Sequence, residues 1–245
     1  MADPARSRLL LLSNSRTPGL GYLEHARPTI ADFLGPDVKK ALFVPYAIVT
    51  KSYDDYLEMV RSAFRELGVE VEGIHQRERP LEEIEKAAAL LVGGGNTWRL
   101  VRELRRARMI DPVRKAVARG TPYLGWSAGS NVACPTFQTT NDMPICDPLG
   151  FDTLGLVPFQ INPHYLHGNP PGFQGETREE RIREYLELHP DVWVVGLREG
   201  TMLRVEGGRI RLIGEPTCRV FRKGHEPREL GAADDLQFLL QRSTP

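Results

Sequence analysis

Apolar and polar positions along this chain switch between two periods. Short, wholly apolar runs alternate with longer stretches in which apolar residues return every three or four positions. Leu9–Leu12 is the first run and ends in SNSRTPG, and Ala41–Val44 is the second and ends at Pro45. Val69–Ile74, where Glu70 and Glu72 alternate with Val69 and Val71, reads as the third strand, and the apolar runs resume at Ala87–Val92 and Pro122–Trp126. The fourth run leads into GGGN and the fifth directly into Ser127. Runs apolar throughout suit strands covered on both faces, as in a parallel sheet. Between Asp54 and Leu67, Tyr56, Val60, Ala63, Phe64 and Leu67 fall on one helical face. Helical patterns also fill Trp98–Ala107, Pro112–Arg119 and Glu179–Leu188. Phe159–Asn162 and Val192–Leu197 read as strands, with a further short one at Val220–Arg222. Met202–Val205 and Arg209–Ile213 flank Gly207-Gly208, the signal of a C-terminal hairpin. Cys134 to Pro158 holds many turn residues and reads as loops, with at most a short strand.

This alternation predicts an α/β fold, a mainly parallel sheet with helices on both faces. No repeat, low-complexity tract or linker interrupts it. Residues 1–245 are therefore expected to form a single domain, with flexible ends at 1–7 and about 230–245.

Charge narrows the partners. Lys+Arg and Asp+Glu balance at 32 each, which argues against nucleic acid or an anionic membrane as the main partner. The Leu9–Leu12 run is too short for the core of a signal peptide, and no apolar stretch is long enough to span a bilayer. Three scattered cysteines, Cys134, Cys146 and Cys218, suggest no disulfide framework. A cytoplasmic setting is the expectation.

The candidate chemistry begins at GWSAGSN, residues 125–131. A serine hydroxyl attacks only when it is exposed, held still and deprotonated by a neighbour. A sharp turn from strand to helix supplies exposure and rigidity, and glycines two positions either side relieve its crowding. Gly125-Trp126-Ser127-Ala128-Gly129 fits that elbow and follows a strand, as the motif requires. The second feature is Gly93-Gly94-Gly95-Asn96-Thr97, also between a strand and a helix. Its backbone N–H groups could cradle an anion or form half of an oxyanion hole. Neither nucleotide-loop pattern is present, so phosphate binding is the weaker reading. The carboxyl ends of adjacent parallel strands share a crevice. The two glycine turns would therefore face each other.

Six histidines compete for the role of base. His25, His75 and His189 lie in or beside charged surface patterns, while His164 follows Phe159–Asn162 at the carboxyl end where the site should be. His164 and His167 lack the carboxylate or cysteine cluster that would complete a metal site. Glu199, in the turn after Val192–Leu197, could orient the imidazole. Ser127–His164–Glu199 is thus the preferred set. The rival, in α/β-hydrolase order, uses Asp191 and His225. Asp191, however, precedes its strand and falls at the wrong end of the sheet.

The segments LLLLSNS, LEHA, VGGGNT, GWSAGSN, TTNDMP, QINPH, GETREERIRE and GLREG together resemble peptidase E, a family of aspartyl dipeptidases. The resemblance implies a fold like that of class I glutamine amidotransferases (flavodoxin-like), with serine in place of their cysteine. It implies a Ser127–His164–Glu199 triad, with Gly94, Gly95 and Ala128 as oxyanion-hole residues. It also implies that Arg178 holds the aspartate carboxylate, with Asn96 nearby in the substrate site. Thr177 and Glu180 have capping-box spacing, which puts Arg178 in the first turn of a helix, where a cation opposes the helix dipole. Arg181 and Arg183 are rivals for its role.

The expected reaction is hydrolysis of Asp-X dipeptides through an acyl-enzyme on Ser127. The expected partner is a small peptide, bound to a monomer or homodimer, and no cofactor or metal is expected. Two alternatives remain: a related serine peptidase acting on another acidic or branched aspartyl peptide, and a non-catalytic anion-binding module.

Overall fold

The computed structural model describes residues 7–172 and 174–241. A seven-stranded sheet forms its centre. The strands are β1 (Arg8–Leu12), β2 (Lys40–Val44), β3 (Glu70–Gly73), β4 (Leu90–Val92), β5 (Tyr123–Trp126), β8 (Met202–Glu206) and β9 (Arg209–Ile213), in the order β3-β2-β4-β5-β1-β8-β9. The first five in that order run parallel. β8 turns antiparallel onto β1, and β9 returns beside β8. The expected hairpin is therefore present. Gly207 and Gly208 take φ of 59° and 72° at its tip, the left-handed pair that matches strand twist in a tight hairpin.

The continuous apolar runs have a simple cause. Leu9 and Leu11 pack into one core layer and Leu10 and Leu12 into the other, all at 0% exposure, so neither face of β1 tolerates a polar residue. α1 (Arg27–Leu34) and α2 (Tyr53–Arg65) cover one face through Phe33, Val60 and Phe64. α3 (Pro80–Lys86), α4 (Thr97–Arg106) and α5 (Ile110–Ala118) cover the other through Ile84, Leu104 and Val113. The apolar pattern does not mark α1 or α3. Both are short, both carry a proline in their first two positions, and α3 buries only Ile84 among the described residues.

β6 (Gln160–Pro163) and β7 (Val194–Leu197) do not extend this sheet. They begin a second one, of order β11-β10-β7-β6, with β10 (Cys218–Phe221) and β11 (Arg228–Leu230). β6 and β7 are parallel and are joined by α7 (Arg178–Leu188). α7 buries Ile182 and Leu186 with Val194 and Phe221. Periodicity identifies a strand, but not the sheet it joins.

The expected flexible tail past residue 230 is corrected as far as residue 241. Leu236 and Leu239 are buried, Phe238 packs edge-on to Trp193 at 4.8 Å, and Gln237 Nε2 donates to Gly208 O at 2.6 Å. The apolar side chains of Leu236–Leu240 give this segment core to bury. Of the expected flexible N-terminus, residues 1–6 lie outside the described residues, while Ser7 is buried. No described helix is long and apolar enough to cross a membrane.

Glu229 on β11 accepts from Arg198 Nη1 at 2.7 Å, Arg198 Nη2 at 2.8 Å, Thr217 Oγ1 at 2.6 Å and Arg219 Nη1 at 3.1 Å. These donors, Arg198 foremost, hold its carboxyl down at about 2, against an ordinary 4.5. A carboxyl lowered in the folded state stabilises it fully above its unfolded value and loses that contribution as pH falls through its folded one. Glu229→Gln should therefore melt below wild type at neutral pH, with a gap that narrows from about pH 4.5 downward. A gap in Tm that stays constant between pH 7 and about pH 3 would rule out a contribution from the charge.

Candidate active site

Ser127 sits where β5 turns into α6 (Ala128–Asn131), with φ 52° and ψ −111°. A non-glycine residue in that region is strained and must be held by its surroundings. Its N–H donates to Leu12 O at 3.0 Å, and its carbonyl accepts from the N–H groups of Ser130 at 2.9 Å and Asn131 at 3.0 Å. The two elbow glycines are there for space. A Cβ on Gly125 would come within 2.5 Å of Gly129 O, and one on Gly129 within 2.1 Å of Val92 O. Gly129→Ala should therefore cost about 3 kcal/mol or more of stability by overpacking against backbone. Denaturant unfolding checks this, and an unchanged midpoint would contradict it.

β6 delivers His164 from the second sheet. His164 also has positive φ, 54°. Its N–H donates to Ser13 Oγ at 2.9 Å, and Ser13 Oγ–H donates to Leu197 O at 2.8 Å. Ser13 is fully buried, so one hydroxyl ties the ends of β1, β6 and β7 together. Glu199 follows β7, and its turn is fixed by Gly200 N–H donating to Asn14 Oδ1 at 2.8 Å and Thr201 Oγ1–H donating to Arg198 O at 2.6 Å.

The three side chains meet in a line. Ser127 Oγ–H donates to His164 Nε2 at 2.8 Å. His164 Nδ1–H donates to Glu199 Oε1 at 2.7 Å. The carboxylate can only accept, which fixes the tautomer and leaves Nε2 free to receive the serine proton. Such an arrangement can activate a hydroxyl for attack on a carbonyl. The rival residues are elsewhere. His225 Nδ1 lies 3.1 Å from Lys223 O in an exposed turn, and Asp191 lies 3.8 Å from Arg222.

The glycine turn lies against Ser127. A Cβ on Gly94 would be 3.0 Å from Ser127 Cβ, and one on Gly93 would be 2.6 Å from the Tyr56 hydroxyl. Gly95 takes φ 139° and leaves no room for a side chain, since a Cβ would fall 2.4 Å from Ala47 O. Tyr56 Oη–H donates to Gly94 O at 3.0 Å and accepts from Trp126 Nε1–H at 3.0 Å. A single buried phenol thus joins the turn to the residue before the elbow, and burial pushes its hydroxyl well above the usual tyrosine range. Ala128 is buried as the first residue of α6.

Asn96 is placed beside the site, but both ends of its side chain are engaged. Oδ1 caps α4 by accepting from Arg99 N–H at 3.1 Å, and Nδ2 donates to Met143 O at 2.9 Å. Met143 belongs to the TTNDMP segment, which straps α4 to β6. Asp142 Oδ2 accepts from Thr97 N–H at 2.7 Å, and Asn141 Nδ2 donates to Pro163 O at 2.7 Å. The region read from sequence as loops contains only an isolated bridge, Thr136 to Asp152.

Arg178 is the first residue of α7, after a complete Thr177–Glu180 capping box. It is half-buried, and burial first, then Arg181, draws its guanidinium below the ordinary value while Asp142 opposes the shift. Among the described residues it has no ion-pair or hydrogen-bond partner. Nearby carboxylates are engaged elsewhere: Glu176 with Arg181 at 3.6 Å, Glu179 with Arg183 at 2.8 Å, and Glu180 with Thr177. Positions three and four residues on, where a helical counter-charge would stand, hold Arg181 and Ile182. Of the three arginines weighed from sequence, Arg178 alone lacks an acidic partner among the described residues.

His167 lies 3.8 Å from Glu179, and no cluster of three or more metal-ligating side chains occurs among the described residues. Pattern reading missed Ser13, Asn14 and Tyr56. The SNS that closes β1, next to β5, was the available signal for the first two.

The model of peptidase family S51 matches residues 9–213. The chain belongs to this family. It is 52% identical over 237 residues to peptidase E of Nostoc sp., covering 97% of this chain and 98% of that one. With peptidase E of Streptomyces coelicolor it shares 52% over 233 residues, 95% of this chain and 94% of that one. With the Salmonella typhimurium peptidase E it shares 50% over 224 residues, 91% and 97% of the two chains. Among solved structures, a peptidase from an acI-B1 Actinobacterium superposes with a TM-score of 0.67 at 16% identity, over 94% of this chain and 96% of that one, a likeness of fold. The resemblance to peptidase E read from the motifs is borne out, and the protein is a peptidase. Ser127, His164, Glu199 and Arg178 all lie within the segment matched by the S51 model.

Proposed function

We propose that this S51 peptidase is a serine dipeptidase that releases an N-terminal aspartate from Asp-X. The observation that carries the mechanism is the unbroken Ser127–His164–Glu199 chain at 2.8 and 2.7 Å. As Ser127 Oγ attacks the peptide carbonyl, its proton passes to His164 Nε2. Glu199 holds the imidazole in register and stabilises the imidazolium. The amides of the Gly94-Gly95 turn and of Ala128 donate to the carbonyl oxygen as it gains negative charge. His164 then returns the proton to the departing amine of X, leaving an aspartyl ester on Ser127. Water, deprotonated by the same imidazole, hydrolyses that ester and restores the serine.

Arg178 supplies the specificity. Arg178 is a half-buried cation with no acidic partner among the described residues, and a planar guanidinium can grip both oxygens of a short carboxylate. A pocket sized for aspartate places glutamate one methylene out of register, while asparagine fits in shape but leaves the cation unpaired. The test is a set of kcat/KM values on purified protein. Asp-Leu should be cleaved well, and Glu-Leu, Asn-Leu and Ala-Leu poorly. A branched aspartate polymer cleaved faster than Asp-Leu would favour a different acidic peptide as substrate. Equal rates on Asp-Leu and Ala-Leu would overturn the specificity.

A further inference from the structure

Beyond the triad, an ion-pair chain joins the turn bearing Glu199 to the helix bearing Arg178. Its hub is Glu229, held by Arg198 on one side and Arg219 on the other. Arg198 immediately precedes Glu199. Arg219 Nε lies 3.2 Å from Glu179 Oε2, and Glu179 immediately follows Arg178. The Arg219 N–H does not point at that oxygen, so the contact is an ion pair rather than a hydrogen bond. Both members are largely shielded, at 18% and 17% exposure, where solvent screens a pair less than at the open surface.

The position of this pair matters because the first turn of α7 carries no buried side chain. The apolar anchors of the helix begin at Ile182 and Leu186. The Glu179–Arg219 pair ties the turn bearing Arg178 to β10, and through Glu229 to the Arg198 that adjoins Glu199. Arg219 and Glu229 lie beyond residue 213, outside the segment matched by the family model.

We propose that Glu229, acting through Arg219 and Glu179, is a positioning residue that holds Arg178 in register with the triad and so sharpens the preference for aspartate. This rests on the reading of Arg178 as the receptor for the substrate carboxylate. A guanidinium displaced by a fraction of an ångström loses its two-point grip on aspartate, whereas asparagine offers it no charge to lose. Misalignment should therefore fall on Asp-Leu far more than on Asn-Leu.

The experiment measures kcat/KM for Asp-Leu and Asn-Leu in wild type, Glu229→Gln, Arg219→Gln, the double variant and Arg178→Met, with a thermal melt for each. The preference for Asp-Leu should fall about tenfold in each single variant, chiefly through KM, and no further in the double, because residues in one ionic network couple rather than add. A structural role alone would lower both substrates together and leave the ratio at its wild-type value. A wild-type ratio in both single variants, or separate losses that multiply in the double, overturns the proposal. If Glu229→Gln does not fold, Arg219→Gln decides alone by the same ratio. If Arg178→Met keeps the full aspartate preference, the reading of Arg178 fails, and the role of Glu229 in specificity fails with it.

Discussion

Ser127→Ala should lower kcat for Asp-Leu by several orders of magnitude while the protein stays folded. The substitution removes the attacking atom and one hydrogen bond, to His164 Nε2 at 2.8 Å. The elbow should survive, because its conformation is held by backbone bonds to Leu12, Ser130 and Asn131 and not by the hydroxyl. His164→Ala should be about as damaging, since members of a triad act as a unit and their losses do not add. Glu199→Gln should cost less, as the amide oxygen can still accept from Nδ1–H at nearly the same place. The measurement is steady-state turnover of Asp-Leu together with a melting curve. Wild-type-like turnover by Ser127→Ala would sink the mechanism. Loss of activity in His225→Ala, with His164→Ala active, would restore the α/β-hydrolase assignment.

Arg178→Ala carries the second large effect. Removing one partner of a charge-assisted pair leaves the substrate carboxylate desolvated and unmet, at about 2–5 kcal/mol of transition-state binding. That corresponds to a fall of about 30- to 4,000-fold in kcat/KM for Asp-Leu. Asn-Leu should change little, so the preference between the two collapses. Arg183→Ala should retain the preference, because Arg183 is already bonded to Glu179 at 2.8 Å. If Arg178→Ala keeps its discrimination and Arg183→Ala loses it, the carboxylate is held by Arg183, further along α7.

The parts legible in the sequence were those written in local chemistry. Fully buried strands appear as unbroken apolar runs because both faces of β1 are covered. The elbow is readable because Gly125 and Gly129, which have no room for a side chain, both stand within two residues of the serine, although the atom that fills the space at Gly129 is Val92 O on β4. The placement of Thr177 and Glu180 announces the start of α7 in the same local way. Pairings between distant segments leave no such trace. His164 was expected at the same sheet edge as Ser127. It reaches the serine instead from a second sheet, positioned by a Ser13 hydroxyl 151 residues away in sequence. The resemblance alone put Asn96 in the substrate site, and neither its capping of α4 nor its bond to Met143 was read from the sequence. The tail past about 230 was expected to be a flexible end, although the burial of Leu236 and Leu239 gives it a place in the core.

The central claim is an aspartyl ester on Ser127, common to every Asp-X substrate. It is tested most directly by partition. Asp-Leu and Asp-Phe are hydrolysed in the presence of hydroxylamine, and the ratio of aspartyl hydroxamate to free aspartate is measured for each. If both pass through the same ester after the leaving residue has gone, the two ratios are equal, and both products disappear in Ser127→Ala. Ratios that differ with the leaving residue, or hydroxamate formed at wild-type rates by Ser127→Ala, would contradict the account.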